Sequence, residues 1–264
     1  MTKPLAVITG ATSGIGAAYA QAFAQRGYNL MLTGRRENVL QQLADRLAQE
    51  FSVNVALQIG DLSRPQDLQD LVDTLTQLPE VDALVNNAGY AVDGRLGEVA
   101  WAQHQALLDV HVTATTRLTH AALPKLIQAK GILINVASVA SWIPTAQSAL
   151  YGPSKVYIRN FTESLALAYR HDGLRALALC PGFTITDFHS RMGLNPETFY
   201  QKKGFVKAWT AEQVVTQSFR DLDKGRLISV QGWNYKLMVF VLRHLPMTWL
   251  YAALGRSKSA RFTK

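Results

Sequence analysis

A glycine-rich turn stands between a short apolar run and a helical stretch near the start of the chain. That order constrains the fold more than any other feature. Leu5–Thr9 is rich in branched apolar residues and reads as a buried parallel strand. TGATSGIG follows, from Thr9 to Gly16, and a helical pattern then runs to Arg26. Strand, glycine turn and helix in this order build an anion site. The glycines let the backbone approach a phosphate, and the helix N-terminus points N–H groups at it. Gly10, Thr12, Ser13, Gly14, Ile15 and Gly16 are therefore candidate cofactor contacts. The spacing is G-x-x-x-G-x-G, not the G-x-G-x-x-G of longer dinucleotide-binding chains. An ordinary turn with three glycines is the bland alternative.

The next segments repeat the alternation. Asn29–Thr33 reads as a second strand and ends in Gly34-Arg35-Arg36. An acidic residue here would bind the ribose 2′-hydroxyl of NAD. Two guanidinium groups suit a 2′-phosphate instead, so Arg35 and Arg36 point to NADPH as cofactor. The alternative is that both arginines merely open the helix surface from Arg36 to Glu50. Val53–Ile59 reads as a third strand, followed by Asp61-Leu62. Asp61 could accept from an adenine amine or N-cap a helix over Pro65–Leu78. Asp82–Asn86 is a fourth strand, and Asn86-Asn87-Ala88-Gly89 marks its tight exit. In a parallel sheet such exits lie at the carboxyl edge, where ligands bind.

Composition narrows the class. The chain has 264 residues, 48% hydrophobic and 17% charged, which suits a globular protein with a sizeable core. Cys180 is its one cysteine, so no disulfide within the chain is possible, and a reducing cytoplasm is compatible. The N-terminus shows no signal-peptide pattern, and a cytoplasmic location is expected. A net charge of +8 favours anionic partners or an anionic membrane surface, or simply describes a basic enzyme. Neither a zinc-ligand cluster nor a nucleic-acid motif is present, so no metal and no nucleic-acid partner are expected.

The chemistry concentrates in GILINVASVASWIPTAQSALYGPSK, from Gly131 to Lys155. An apolar strand leads to Ser138, and Tyr151 and Lys155 follow four residues apart. In a helix that spacing puts them on one face. An ammonium beside a phenol would lower the tyrosine pKa and make Tyr151 a plausible proton donor. Ser138 could hold a carbonyl oxygen on the same approach.

Together these residues resemble the short-chain dehydrogenase/reductase family. The matching pieces are TGATSGIG at 9–16, Asp61, NNAG at 86–89, Ser138, YGPSK at 151–155 and PGFTIT at 181–186. They cover residues 5 to about 230 in family order. The resemblance implies one doubly wound Rossmann-like α/β/α domain over 1–264 with a mostly parallel seven-stranded sheet. Strands at Gly131–Ala137, Leu174–Cys180 and Arg226–Val230 would complete it. Helices at Trp101–Gln128 and Tyr151–His171 would be central, with Pro124 breaking or ending the first late and Pro153 in the first turn of the second. It also implies that Ser138 positions the substrate carbonyl, Tyr151 donates the proton, and Lys155 binds the nicotinamide ribose while lowering the Tyr151 pKa. Leu62, Asn87, Ala88, Gly89, Pro181, Gly182, Thr184 and Thr186 would join the cofactor contacts. Thr184 would act mainly through backbone and Thr186 through its hydroxyl, unless Thr186 only caps a helix from Asp187 onward. The family commonly has asparagine where this chain has His111, in Val110-His111-Val112-Thr113. The family residue is thought to act through its main-chain carbonyl. His111 could keep that main-chain role, relay a proton through its imidazole, or simply pack.

The expected activity is NADPH-dependent interconversion of a carbonyl and an alcohol, on an apolar ketone, aldehyde or 3-oxoacyl substrate. A weakly active or inactive NADPH-binding redox sensor is the alternative. Residues 183–209 form a long connection expected to be a substrate lid, with Phe183, Phe188, Phe199, Tyr200, Phe205 and Trp209; Trp142 and Ile143 lie after Ser138. Residues 233–264 form an apolar, basic extension, read as two short amphipathic helices broken at Pro246. This extension could cover the cleft, pack in a homodimer or homotetramer, or rest on a membrane surface.

Overall fold

Apolar runs short enough for strands alternate with longer amphipathic segments, and in the computed structural model this alternation becomes a strand–helix repeat. The structure describes residues 3–144, 148–186, 207–246 and 248. The first half runs β1 Leu5–Thr9, α1 Gly14–Ala24, β2 Asn29–Gly34, α2 Glu37–Phe51, β3 Val55–Ile59, α3 Pro65–Gln77 and β4 Ala83–Asn86. The second half runs α4 Trp101–Leu108, a π-helical turn Asp109–Ala114, α5 Thr115–Gln128, β5 Ile132–Val136, α6 Tyr151–Ala168 and β6 Arg175–Leu179. Two short strands, β7 Thr184–Ile185 and β8 Trp209–Thr210, precede α7 Ala211–Asp223, β9 Ile228–Ser229 and α8 Gly232–His244.

Seven of the strands form one sheet in the order β3-β2-β1-β4-β5-β6-β9, and every pairing in it is parallel. This is the expected doubly wound architecture. The central strands β1, β4 and β5 are buried almost throughout because both faces are covered, whereas the edge strand β3 leaves Ala56 and Ile59 exposed. Ala6 and Ile8 of β1 pack with Tyr19, Phe23, Leu40 and Phe219 on the side of α1, α2 and α7. Val7, between them, packs with Leu71, Leu118 and Leu126 on the side of α3 and α5. The switch point lies between β1 and β4, where the strand order reverses, so the loops after these strands open a crevice at the carboxyl edge.

Element ends differ from the sequence expectation for local reasons. Ser52 takes a left-handed φ of 53° and the Asn29 side chain accepts from Asn54 N–H at 2.9 Å, so β3 begins only at Val55. Arg226 N–H donates to Asp221 O at 3.0 Å and closes the end of α7, which leaves β9 shorter than Arg226–Val230. Pro124 does not end its helix: α5 passes through it to Gln128. The single expected helix from Trp101 is instead interrupted by the π turn at Asp109–Ala114.

A buried polar seam ties the centre of the sheet to the helices. Asn86 Nδ2 donates to Thr119 Oγ1 at 2.9 Å and to Asn135 Oδ1 at 2.8 Å. Asn135 Nδ2 donates to Thr162 Oγ1 at 2.9 Å, and Thr162 Oγ1 donates to Ile158 O at 2.6 Å. All four side chains are buried, so each bond replaces water that cannot enter. Removing Asn135 takes one of two bonds from the Asn86 amide and the accepted bond from the Thr162 hydroxyl, in a space water does not enter. Asn135→Ala should destabilise the fold by about 2–4 kcal/mol in urea unfolding; a loss under about 0.5 kcal/mol would contradict the seam.

Candidate active site

The turn after β1 holds its shape through neighbours that only glycine admits. Gly14 has φ +56°, and a Cβ there would lie 2.8 Å from Thr186 Cγ2. A Cβ on Gly16 would sit 2.4 Å from Gly10 O. Asn87 fastens the turn to the β4 exit: its Nδ2 donates to Thr9 O at 2.9 Å and Gly10 O at 3.1 Å. Thr9 Oγ1 accepts from the N–H groups of Asn87 and Ala88, both at 3.0 Å. The result is a cavity of about 380 Å³ at the carboxyl edge of the sheet.

Most residues expected at a cofactor site line this cavity: Gly10, Thr12, Ser13, Gly14, Ile15, Arg35, Asp61, Leu62, Asn87, Ala88, Gly89, Ser138, Lys155, Pro181, Gly182, Thr184 and Thr186. Gly16, Arg36, Tyr151 and His111 are outside the lining. Gly16 lies beneath the turn as its packing contact. Arg36 reaches back along its edge, with Nη2 donating to Thr12 O at 3.0 Å. Thr33, Gly34, Gly60, Tyr90, Ala91, Val110 and Val136 complete the wall and were not expected from the sequence. Several were within reach of the motifs: Gly60 precedes Asp61, and Tyr90 directly follows the NNAG exit.

Arg35 and Asp61 face each other across the mouth. Arg35 Nη1 donates to Asp61 Oδ2 at 3.3 Å, and the Arg35 side chain is 61% exposed. Asp61 Oδ1 accepts from Ser63 N–H at 3.0 Å and from Ser63 Oγ at 2.8 Å. Burial alone would raise its pKa. The two Ser63 bonds and the Arg35 charge outweigh that and hold the carboxyl below its usual range. Asp61 therefore shapes its own turn and does not N-cap α3, whose N-cap position is Arg64.

Ser138, Tyr151 and Lys155 meet where β5 ends and α6 begins. Ser138 accepts from Ala140 N–H at 3.1 Å, which opens the 3₁₀ turn Val139–Trp142, and its hydroxyl bonds the Tyr151 phenol. α6 starts at Tyr151, and Pro153 falls in its first turn, where its missing N–H breaks no helical bond. Lys155 is buried, and its Nζ donates to Val136 O at 2.9 Å while standing 5.7 Å from the Tyr151 ring centre. The expected lowering of the Tyr151 pKa by Lys155 is corrected. Burial raises the phenol pKa, and the opposing effect comes from the Ser138 hydrogen bond. The physical reason is that Lys155 is desolvated too: burial brings its own pKa down to about 7, with Cys180 opposing that shift weakly.

His111 sits on the π turn with its ring fully buried. Tyr90 N–H donates to His111 Nε2 at 3.1 Å, so the proton of the neutral ring is on Nδ1. Nδ1–H donates to Ser154 Oγ at 2.8 Å, and Ser154 Oγ donates to Tyr151 O at 2.8 Å. Burial, then the Lys155 charge, hold the imidazole pKa well below its usual 6.5. A side-chain relay titrating near neutral pH is therefore corrected: both nitrogens are engaged and the ring stays neutral. Nothing in the sequence singled out Ser154, which sits inside YGPSK as an apparent spacer.

The Pro181-Gly182 turn closes β6, and Thr184 Oγ1 donates to Gly182 O at 3.1 Å. Thr184 and Ile185 then pair in parallel with Trp209 and Thr210, so the two ends of the long connection are stitched together. Trp142, Phe183 and Trp209 pack with Tyr235 and Val239 of α8. Thr186 Oγ1 donates to Thr184 O at 3.4 Å, and a helix that it would cap falls outside the described residues. Phe188, Phe199, Tyr200, Phe205 and most of the lid lie outside them too, as does the expected helix after Pro246. Among the described residues no cluster of His, Cys, Asp or Glu could hold a metal ion.

The family model described as short chain dehydrogenase matches residues 4–196. Sulfoacetaldehyde reductase 2 of Chromohalobacter salexigens is 37% identical over 188 residues, covering 70% of this chain and 74% of its own. A short-chain dehydrogenase from Sphingobium yanoikuyae, solved in complex with NADPH, superposes with a TM-score of 0.83 at 28% identity, covering 99% of this chain and 98% of that one. The bulky-bulky ketone specific alcohol dehydrogenase of Comamonas testosteroni gives a TM-score of 0.77 at 26% identity, covering 97% and 93%.

The buried Lys155 makes a prediction about stability. Its pKa is about 7 in the folded chain, against 10.5 as the free side chain. Between these values the unfolded chain binds the extra proton, so stability rises with pH across that window. Below about pH 7 the burial penalty is fully present, and by about pH 10.5 it is gone. Lys155→Met should therefore raise the Tm of the cofactor-free protein by about 5 °C at pH 7, with the gain shrinking towards pH 10. A lowered Tm at pH 7 would contradict this.

Proposed function

The chain belongs to the short-chain dehydrogenase family, oxidoreductases of alcohol and carbonyl groups, and on that premise we propose that it is an NADPH-dependent reductase of an apolar ketone, aldehyde or 3-oxoacyl compound. The observation that carries the reading is the Ser138–Tyr151 hydrogen bond beside buried Lys155, at the end of a glycine-walled cavity. The cavity suits a dinucleotide. The turn packs so closely that a Cβ at Gly14 or Gly16 would clash with it, which keeps the backbone at the cavity edge, and a helix N-terminus faces the cavity. Gly34 stands where an acidic residue would select the ribose hydroxyl, and the exposed guanidinium of Arg35 beside it favours a 2′-phosphate. The Sphingobium neighbour binds NADPH, which supports the same choice.

Bound NADPH supplies the hydride. The chain's own groups manage the oxygen. Ser138 Oγ orients the carbonyl, and Tyr151 gives its proton to that oxygen as charge grows there. A phenol kept above its usual pKa is protonated at neutral pH, which is the form a reduction requires. Lys155 positions the cofactor ribose from the same helix face. His111 serves as a positioning residue: it joins the exit of β4 at Tyr90 to the first turn of α6 at Ser154, and so supports Tyr151. The departure at position 111 thus carries a supporting role, and the main argument for an inactive redox sensor falls away.

The named relatives act on sulfoacetaldehyde and on bulky-bulky ketones, so the shared architecture does not set the substrate. Support for an apolar one comes from Trp142 and Phe183, half-buried at the edge next to Ser138.

The test is NADPH oxidation, followed near the reduced nicotinamide band at about 340 nm, across ketones, aldehydes and 3-oxoacyl thioesters. Turnover on one apolar class is expected, with Tyr151→Phe at least about 100-fold slower. NADPH binding without turnover on any compound would turn the reading towards the sensor. Arg35→Ala should weaken NADPH about tenfold and leave NADH nearly unchanged; equal losses would overturn the 2′-phosphate assignment.

A further inference from the structure

The outward face of α8 is apolar where a surface helix should be polar. The helix already buries one side, through Asn234, Tyr235 and Val239. Its opposite side carries Trp233, Leu237, Phe240 and Val241, exposed by 72%, 44%, 58% and 41%. At 100° per residue these four share one stripe, with His244 among them and Lys236 and Arg243 together along one rim. A helix apolar on both sides is normally buried on both, and a contiguous exposed stripe of this kind marks an interaction surface. Among the described residues, Leu245 at the helix C-cap is exposed as well, and the other large exposed apolar side chains, such as Ile59, Leu96 and Trp101, are spread over other parts of the chain.

Charge identifies what the stripe meets. Residues 232–264 carry six of the 27 Lys and Arg and none of the 19 Asp and Glu, so six of the eight net positive charges belong to this last part of the chain. The remaining 231 residues are close to neutral. Four of the six basic residues, Arg256, Lys258, Arg261 and Lys264, fall in the last nine positions. No described helix is long and apolar enough to cross a membrane. An apolar stripe with a basic rim, followed by a cationic terminus and lacking a spanning helix, matches the chemistry of attachment in the plane of an anionic lipid surface. Trp and Phe suit the headgroup boundary, and the Lys and Arg stems can lie along the stripe while their charges reach phosphates.

We infer that the α8 face, with Trp233, Leu237, Phe240 and Val241 inward and Lys236 and Arg243 at the rim, docks the enzyme on an anionic membrane surface. Docking of this kind is independent of the substrate and of catalysis, so a variant without turnover should dock equally well.

Co-sedimentation of the full chain with vesicles tests it. Binding is expected to vesicles of phosphatidylcholine with about 30% phosphatidylglycerol, and to be weaker by about tenfold or more on phosphatidylcholine alone. Leu237→Asp combined with Phe240→Asp should lower partitioning at least about tenfold. Lys258→Glu combined with Arg261→Glu should lower it by about fivefold for each charge removed. Tyr151→Phe should bind like the parent chain. Failure to bind either vesicle, or equal binding to both, overturns the proposal. Sedimentation equilibrium supplies the remaining arm: a dimer that the Leu237→Asp and Phe240→Asp pair dissociates would make the stripe a subunit face, and the membrane assignment would fall. If the aspartate pair does not fold, the tail variant and the two vesicle compositions still decide.

Discussion

The site depends on a neutral, fully buried imidazole. His111 accepts from the backbone of Tyr90 at the exit of β4 and donates to Ser154 in the first turn of α6. Those two elements hold opposite sides of the chemistry: the loop after β4 walls the cavity, and the helix carries Tyr151 and Lys155. A parallel sheet delivers its loops to one edge but does not fix them to each other. The imidazole does, and it can only do so as the neutral Nδ1–H tautomer, because a second N–H would point at the Tyr90 N–H. Burial and the nearby Lys155 charge both favour that form.

The same burial makes the site costly in isolation and useful in function. Lys155 is shifted towards its neutral form, Tyr151 towards its protonated form, and neither shift benefits the fold. The surrounding structure tolerates this because the sheet is packed on both faces and the polar seam of Asn86, Asn135, Thr119 and Thr162 is almost fully paired. Asn86 Oδ1 is the exception, a buried acceptor without a hydrogen-bond partner among the described residues. Strain of this kind is commonly concentrated at sites that later receive a ligand.

Much of the fold was legible in the sequence because it rests on local patterns. Apolar runs of strand length, the glycine turn at Thr9–Gly16, the NNAG exit and Pro153 just after Tyr151 each act through neighbours in the chain. The individual strands followed from them, and the doubly wound sheet and most of the cavity wall from the family resemblance that they carry. The sequence was silent where geometry depends on distant partners. The π turn at Asp109–Ala114 leaves no mark in a stretch from Trp101 to Gln128 that mixes polar and apolar residues throughout. Ser154 looked like a spacer because its partners lie 43 residues away on His111 and one helical turn back on Tyr151 O. The direction of the Tyr151 shift was misread for the same reason: spacing put a cation beside a phenol, but spacing carries no information about desolvation. The extension was read as amphipathic from composition, whereas α8 proved apolar on its buried and exposed faces alike.

The most direct measurement is nitrogen-15 NMR of the histidine side chains in the folded, cofactor-free protein across about pH 5–8. His111 is expected to show the neutral Nδ1–H tautomer throughout, with no titration in that range. A His111 that titrates near its free value of about 6.5, or that carries its proton on Nε2, would contradict a fixed neutral imidazole joining the two halves of the site.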